Sequence, residues 1–143
     1  MILPLVIIDT NVVVSGLITA DANSTTCQIV DGMVSARFPF LLSPDLLHEY
    51  RTVLLRSKIQ KLHGLQAADV DRILTEFVVN AIWREPVLPV SAPDSGDDHL
   101  LNLMKACRGS VLVTGDRLLL ENPPDFASVL KPLSFLESGL IDQ

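Results

Sequence analysis

Leu5-Val6-Ile7-Ile8-Asp9-Thr10-Asn11 is the stretch that decides the fold of this chain. An unbroken run of leucine and β-branched residues ends there in a carboxylate, a hydroxyl and an amide. A short apolar run bounded by polar residues is typical of a strand that is buried on both faces of a parallel sheet. Asp9 then lies at the carboxyl end of that strand, where open α/β sheets place their ligand sites.

The rest of the chain alternates between short apolar runs and amphipathic segments. Ser110-Val111-Leu112-Val113-Thr114 repeats the opening pattern and leads into Gly115-Asp116. Further strands are predicted over residues 38–42, 81–88 and 128–130, and helices over residues 11–18, 24–35, 43–64, 67–81, 98–109, 117–121 and 132–138. Strands that alternate with helices imply βαβ units, so we expect an α/β fold with a mainly parallel sheet.

Length and hydropathy predict one domain that spans residues 1–143. A chain of 143 residues can bury a core without disulfides or metals. Its mean hydropathy is +0.38, yet no segment approaches the roughly eighteen apolar residues that a membrane span requires. The first residues lack the basic flank and cleavage site of a secretory signal. We therefore expect a cytoplasmic protein with no membrane contact, whose apolar residues form a core and a subunit interface.

The cysteines and the charges restrict the class of function. Cys27 and Cys107 stand far apart without a CxxC pair, so we expect buried free thiols. The net charge is −6, which argues against a protein whose main role is to bind nucleic acid through its phosphates. It does not exclude a nuclease whose acidic site is offset by metal. A basic group stands out, which predicts either a solvated helical face or a local phosphate-binding or partner-binding patch; its members are Arg51, Arg56, Lys58 and Lys61.

Acidic residues occupy positions that a parallel sheet brings together. Asp9 and Asp116 follow strands, and Asp97 precedes a helix. Glu49 lies on the apolar stripe of the helix that Ser43-Pro44 begins, where a carboxylate is costly unless it is paired or bound to metal. Taken singly, Asp9 and Asp116 are also explained as helix caps, and Asp97 as a complement to the helix dipole. Together they predict one acidic cleft at the carboxyl edge of the sheet.

An acidic cleft of this kind favours a hard divalent cation. Several carboxylates in a half-buried cleft need either a compensating cation or protons. Oxygen ligands without histidine or cysteine suit Mg²⁺ or Mn²⁺ better than zinc. Such an ion acidifies a bound water and polarises a phosphoryl oxygen, so hydrolysis of phosphodiesters is the chemistry that this site favours.

The order of these motifs resembles that of PIN-domain ribonucleases over nearly the whole chain. The resemblance rests on Asp9-Thr10-Asn11-Val12-Val13-Val14-Ser15, Leu42-Ser43-Pro44 with Glu49, Asp97-Asp98-His99-Leu100-Leu101 and Val111-Leu112-Val113-Thr114-Gly115-Asp116. The chain is most similar to the VapC-like branch, whose members are assigned as toxins of type II toxin–antitoxin pairs. This resemblance implies a three-layer α/β/α PIN-like fold around a sheet of four to five strands.

The same resemblance implies a Mg²⁺- or Mn²⁺-dependent endoribonuclease that leaves a 5′-phosphate. It assigns catalysis and metal binding to Asp9, Glu49, Asp97 and Asp116, and the orientation of carboxylates or water to Asn11, Ser15 and Thr114. Relatives often have Asp-Pro-Asp-Asp where this chain has Asp94-Ser95-Gly96-Asp97-Asp98, so Asp98 and then Asp94 are alternatives to Asp97. The expected partners are RNA, an antitoxin protein, and further copies of the chain in a homodimer or larger homo-oligomer.

Further residues beside the acids are candidates for substrate contact. Arg117 suits bidentate binding of the scissile phosphate, and Asp98 and His99 lie next to the acidic cluster. Trp83 and Tyr50 are too few for a base-stacking platform and are expected to be packed.

Two other classes of function remain open in the sequence. The chain could be a PIN fold of little or no catalytic activity that binds an antitoxin or another subunit. A phosphoacceptor receiver is the third class, but it requires an acidic pair after the first strand and a lysine near Asp116, which this chain lacks.

Overall fold

A computed structural model describes residues 4–86 and 98–141 of the chain. The strands are Val6–Ile8 (β1), Leu41–Leu42 (β2), Ile82–Trp83 (β3), Val111–Val113 (β4) and Ser128–Leu130 (β5). The helices are Thr10–Ile18 (α1), Thr25–Val34 (α2), Pro44–Leu54 (α3), Ser57–His63 (α4), Ala67–Asn80 (α5), Asp98–Ala106 (α6), Arg117–Glu121 (α7) and Pro132–Glu137 (α8).

The strands lie side by side in the order β3-β2-β1-β4-β5. Strand β4 pairs in parallel with β1 and with β5, and β2 pairs in parallel with β3. A parallel bridge between Val6 and Phe40 joins the two groups of strands, and the Val6 amide donates to the carbonyl of Pro39 at 3.1 Å. Every strand pairing in the described residues is parallel, which confirms the predicted α/β class.

Strand β1 is central and is covered on both faces. Its three side chains are fully buried, and those of the neighbouring β4 are at most 6% exposed. Because successive side chains of a strand point to opposite faces, burial of every residue means that other elements cover both sides of the sheet. The opening run Leu5 to Ile8 was therefore interpreted correctly, and the fold is the expected layered α/β arrangement.

Helix α3 begins where the sequence predicts. Ser43 accepts a hydrogen bond at its Oγ from the amide of Leu46 at 3.1 Å, and Pro44 occupies the first turn. Tyr50 on α3 is fully buried, as expected, and its ring packs edge-on against Phe77 with centroids 6.1 Å apart. The cap and the apolar stripe fix which side of α3 faces the core, and they place Glu49 beside the end of β1.

The helical region that was predicted to close at Gly64 consists of two helices. Gly64 adopts a left-handed conformation with φ of 70° after α4, as a terminating glycine should. The break between α3 and α4 falls at Leu55 and Arg56, where the Arg56 backbone is extended. This break turns the chain at Arg56 before α4 continues against α1.

Two strands are shorter than predicted. The run 38–42 contributes only Leu41 and Leu42 to β2, together with the bridge at Phe40, because Pro39 has no N–H to continue the ladder. The run 81–88 pairs only through Ile82 and Trp83, since β2 offers two partner residues; residues 87 and 88 lie outside the described part. Local patterns overestimated both strands because length depends on the neighbouring strand.

Two predictions about burial were wrong in degree. Trp83 is 42% exposed, because among the described residues β3 pairs only with β2 and so lies at the edge of the sheet. Cys27 and Cys107 are free, as predicted, but both are only half-buried. None of the helices in residues 4–86 and 98–141 combines the length and apolar character needed to cross a membrane.

Candidate active site

Asp9 and Asp116 follow neighbouring parallel strands at the same edge of the sheet. Ile8 of β1 lies opposite Val113 of β4, and the Asp9 amide donates to the Val113 carbonyl at 3.0 Å. Each acid also caps the helix that follows it: Asp9 Oδ1 accepts from the Thr10 amide at 2.8 Å, and Asp116 Oδ1 accepts from the Leu118 amide at 2.9 Å. Asp9 and Asp116 therefore each cap a helix and also lie at the candidate site.

Thr114 links these two acids. Its side chain is fully buried, and its Oγ1 donates to Asp9 Oδ2 at 2.7 Å while accepting the Asp116 amide at 3.0 Å. One hydroxyl thus fixes the rotamer of the first acid and the backbone of the second. The sequence predicted an orienting role for Thr114, and the structure gives that side chain a contact with each acid.

Glu49 is held at both carboxylate oxygens. The Thr10 hydroxyl donates to Oε1, and His99 Nε2 lies 2.7 Å from Oε2. An ionised carboxylate only accepts hydrogen bonds, so Nε2 is the donor of this contact when Glu49 carries its negative charge. These two contacts offset the expected free-energy cost of burying a carboxylate on the inner stripe of α3. The Glu49 side chain remains 32% exposed.

Asp9, Glu49 and Asp116 line one open cleft of about 630 Å³. Its other lining residues are Thr10, Asn11, Val14, Ser15, Ile18, Val53 and Arg56. Helices α1 and α3 pack against each other and supply most of these walls, since both begin at the carboxyl edge of the sheet. The cleft therefore has an acidic end at the strand termini and runs outward between the two helices.

His99 contacts an acid rather than open solvent. It lies on α6, its side chain is 17% exposed, and its Nδ1 is buried without a hydrogen-bond partner among the described residues. We expected a substrate contact at His99 because it follows the acidic cluster in sequence. In the structure its Nε2 contacts Glu49, fifty positions away in sequence, and the substrate contact stays a prediction.

Asn11 and Ser15, the other residues expected to orient the site, differ in their contacts. Asn11 Nδ2 donates to Asp9 Oδ2 at 3.5 Å, and its Oδ1 accepts from the Gly115 amide at 3.5 Å, so it spans the two strand ends. The Ser15 hydroxyl pairs with the Thr26 hydroxyl at 3.1 Å. Ser15 lines the cleft, but its hydroxyl pairs with a residue of α2 and not with one of the acids.

The remaining predicted residues lie elsewhere or beyond the described part. Asp97 and its alternative Asp94 lie outside the described residues, as does the side chain of Asp98. Arg117 is not part of the cleft wall: its Nη2 lies 3.2 Å from Glu121 Oε1 and its side chain is 87% exposed. The expected contact between Arg117 and a scissile phosphate therefore has no support in this conformation, because α7 directs the guanidinium along its own surface.

The donor set suits a hard divalent cation in its chemistry. Carboxylate oxygens face the acidic end of the cleft, with hydroxyl and amide groups orienting them, and such oxygens are the ligands that Mg²⁺ and Mn²⁺ prefer. Within residues 4–86 and 98–141, no three histidine, cysteine or acidic side chains are close enough to enclose an ion by themselves. The predicted fourth acid, Asp97, belongs to the segment outside those ranges.

Tyr50 and Thr10 belong to the site although the sequence did not indicate such a role. The Tyr50 hydroxyl donates to the carbonyl of Ile8, the residue before Asp9. Burial raises the pKa of Tyr50 well above its usual range, and the negative charges of Asp9 and Glu49 raise it further. Tyr50 was expected only to be packed. The available signals were the hydroxyl of Thr10 at the end of a strand and that of Tyr50 on the helix that carries Glu49.

Arg56 is the cation in the cleft wall among the described residues. It belongs to the basic group noted in the sequence, whose members differ in their contacts. Arg51 Nε lies 2.8 Å from Asp71 Oδ1 on the outer surface, and this contact lowers the pKa of the Asp71 carboxyl. Arg56, in contrast, faces the same cleft as the acids, which the linear pattern of charges did not distinguish.

Comparison with known proteins agrees with this geometry. The family model described as PIN domain matches residues 5–118, and the chain belongs to that family. The structure is similar to that of the T. brucei RRP44 PIN domain, with a TM-score of 0.55 and 15% sequence identity, over 95% of this chain and 80% of that one. A search of curated proteins found no match. PIN domains are typically metal-dependent nucleases, and the fold confirms the resemblance seen in the sequence at the level of the family.

Proposed function

We propose that this protein is a Mg²⁺- or Mn²⁺-dependent endoribonuclease. The observation that carries the proposal is the buried Thr114 hydroxyl, which ties Asp9 to the strand end that bears Asp116 while Glu49 lines the same cleft. Membership of the PIN-domain family supports the reaction class. Asp9, Glu49 and Asp116, together with Asp97, are the residues that would hold the ion.

The chain's own groups keep the carboxylates in place for this reaction. A bound divalent ion would supply Lewis-acid polarisation of a phosphoryl oxygen and a more acidic water. Thr114 and Asn11 restrain Asp9, and Thr10 and the Nε2 proton of His99 restrain Glu49. Asp116 Oδ2 accepts no hydrogen bond from the described residues, so it is available to a ligand. Preorganised oxygens avoid the cost of rearrangement when charge develops on the phosphate.

The finer proposal is that the protein is a toxin of a toxin–antitoxin pair. It is supported by the resemblance of the sequence motifs to the VapC-like branch. In such a pair the antitoxin keeps the nuclease silent, and the protein acts in the cytoplasm on single-stranded or exposed RNA. Co-expression with the product of an adjacent small gene tests this part, because the toxin reading predicts that growth arrest caused by the nuclease is relieved by that partner.

The proposed reaction is tested by cleavage of an unstructured oligoribonucleotide. With Mn²⁺ present we expect internal cleavage that leaves a 5′-phosphate, detected by the mass of the products. EDTA should stop the reaction, and Asp9→Asn should lower its rate by more than about a hundredfold, because removal of residues that merely orient a ligand already costs 10- to 100-fold.

Asp45→Asn is the matched control for that substitution. Asp45 is an exposed acid in the first turn of α3 and is not part of the cleft wall, so its replacement removes the same charge away from the site. Activity of Asp45→Asn should remain close to that of the wild-type protein. Cleavage that persists in EDTA, or full activity in Asp9→Asn, would contradict the proposed function.

A second candidate function is a protein-binding module without catalysis. The observation in its favour is a set of large apolar side chains that are more than half exposed: Leu62, Val79, Leu118 and Leu133. They lie on four different helices, and a contact with an antitoxin or with another copy of the chain would cover those that share a surface. Calorimetric titration with Mn²⁺ separates the two candidates, since the module reading predicts no binding at millimolar metal, whereas the nuclease reading predicts binding that Asp9→Asn abolishes.

A further inference from the structure

The acids of the cleft repel the phosphates of the proposed RNA substrate. RNA carries a negative charge at every phosphate, while the chain carries a net charge of −6 and the inner end of the cleft is lined by carboxylates. A divalent ion offsets charge only where the acids meet. The neighbouring phosphates of a bound strand therefore need a cation of the protein, and the cleft wall contains one in Arg56.

Arg56 has no ion-pair partner among the residues that the structure describes. In the described ranges, Arg51 pairs with Asp71 and Arg117 pairs with Glu121, but no ion pair involves Arg56. Its side chain is exposed, and it makes no capping hydrogen bond at the start of α4. The N–H groups of the guanidinium are therefore available to an outside ligand. Their planar arrangement matches two oxygens of a phosphate.

The position of Arg56 sets which phosphate it would meet. Helices α1 and α3 both lead away from the acidic edge, and the cleft between them passes from Glu49 to Val53 and then to Arg56. Glu49 lies five residues before the last residue of α3, Leu54, which corresponds to about 7.5 Å along a helix that rises 1.5 Å per residue, and Arg56 follows two residues past that end. Apolar side chains of Val53 and Ile18 line the interval. Arg56 thus lies beyond the reacting phosphate but on the same path.

From this placement we infer that Arg56 binds a backbone phosphate that flanks the cleaved bond, so that single-stranded RNA leaves the acidic centre along the groove between α1 and α3. The inference rests on the proposed nuclease function for the identity of the ligand. Past Arg56 the strand meets α4, whose exposed Lys58 and Lys61 lie three residues apart on one face of that helix. Arg56 is a phosphate contact in addition to Arg117, which the sequence offered as a candidate.

Arg56→Gln tests this contact in a protein that cannot cleave. In the Asp9→Asn background, the affinity for a short unstructured oligoribonucleotide is measured by fluorescence anisotropy at several salt concentrations. Loss of one phosphate contact should weaken binding by about tenfold. It should also reduce the slope of log affinity against log salt by about 0.7, the value for one contact with a single strand. Arg56→Lys should keep the slope while binding less tightly than arginine.

Arg37→Gln is the matched control. Arg37 is also exposed and takes part in no ion pair within the described residues, but it precedes β2 at the opposite edge of the sheet. The control should bind RNA with the slope of the parent protein. Thermal unfolding of Arg56→Gln should match that of the parent, because the side chain caps no helix. An unchanged salt slope in Arg56→Gln would overturn the inference.

Cleavage kinetics separate this inference from the proposed function. In the otherwise wild-type protein, Arg56→Gln should raise KM by about tenfold and leave kcat nearly unchanged, since the residue touches a phosphate that does not react. If the wild-type protein cleaves RNA and Arg56→Gln has the same KM, the nuclease function stands and the contact is overturned. If the wild-type protein does not cleave but binding still depends on Arg56, the contact stands and the catalytic proposal fails.

Discussion

At the scale of single residues, the site depends on hydroxyl groups that join the acids to the backbone. The Thr114 hydroxyl is donor to Asp9 Oδ2 and acceptor for the Asp116 amide. Thr114→Val keeps the shape of the side chain and removes both hydrogen bonds, so that the Asp9 carboxylate and the Asp116 amide each lose a half-buried contact. We expect a loss of about 1–3 kcal/mol in unfolding free energy, and a 10- to 100-fold loss of Mn²⁺-dependent activity.

Thr114→Ser is the control for this change, since serine retains the hydroxyl. Activity and Mn²⁺ affinity of Thr114→Ser should stay close to wild type, with both quantities measured by the RNA cleavage assay and by calorimetry. Equal activities of the valine and serine variants would show that the hydroxyl does not orient Asp9.

Because Tyr50 is buried, its ionisation makes the stability of the fold depend on pH. Burial raises the pKa of Tyr50, so the folded state favours the neutral phenol. The stabilising contribution of Tyr50 is complete below its ordinary pKa of about 10. It is lost as the pH rises from there toward the pKa of Tyr50 in the folded protein. In that range wild-type protein should lose about 1.4 kcal/mol per pH unit relative to Tyr50→Phe, because the groups common to both proteins cancel.

The titration of Tyr50 can be observed directly because the chain contains a single tyrosine. Tyrosinate absorbance should remain low in the folded protein above pH 10 and rise together with unfolding. At neutral pH, Tyr50→Phe should cost about 1 kcal/mol through the lost bond to Ile8. Ionisation of Tyr50 near its ordinary pKa in the folded protein would contradict the buried contact.

At the scale of elements, the position of α1 depends on its close packing against α2. A Cβ added at Gly16 would lie 2.6 Å from the carbonyl oxygen of Thr26 and 2.5 Å from Val30 Cγ2. Because a backbone carbonyl cannot move without shifting α2, Gly16→Ala should destabilise the protein by about 1–3 kcal/mol. The helix α1 carries Asn11 and begins at Asp9, so its displacement should also lower activity.

Gly32→Ala is the internal comparison for Gly16. Its added Cβ would meet the Ile141 and Phe38 side chains at 2.9 Å, and these can shift more easily than backbone. Both substitutions gain similar helix propensity, so that term cancels. Urea unfolding should therefore show a larger loss for Gly16→Ala. A larger loss at Gly32 would mean that α1 and α2 can separate without cost.

The elements also show how much the sequence could predict. Local signals sufficed for the strand that ends at Asp9, for the cap at Ser43 and for the helix end at Gly64, since each depends on neighbours in the chain. The contact from Thr10 to Glu49 spans 39 residues, and that from Thr114 to Asp9 spans 105. Such pairings depend on strand order, which local periodicity does not encode. The exposure of Trp83 has the same cause, because only pairing makes β3 an edge.

For the whole molecule, the net charge limits how the proposed nuclease can bind RNA. The net charge of −6 repels a polyanion, so non-specific attraction cannot bring the substrate to the acids. In the function we propose, productive binding depends on local compensation, by a divalent ion at the acidic end of the cleft and by Arg56 at the other. The fold permits this division because α1 and α3 start together at the strand ends and form the two walls between those points.

We propose that the acids at the strand ends form a divalent metal centre, and a crystal soaked in Mn²⁺ would reveal such a centre. An anomalous difference map should show a peak at the acidic end of the cleft, at about 2.0–2.2 Å from carboxylate oxygens of Asp9 and Asp116. Glu49 and Asp97 should lie around the same peak. The peak should disappear in a crystal of Asp9→Asn. A map with no peak between Asp9 and Asp116 at millimolar Mn²⁺ would contradict the account.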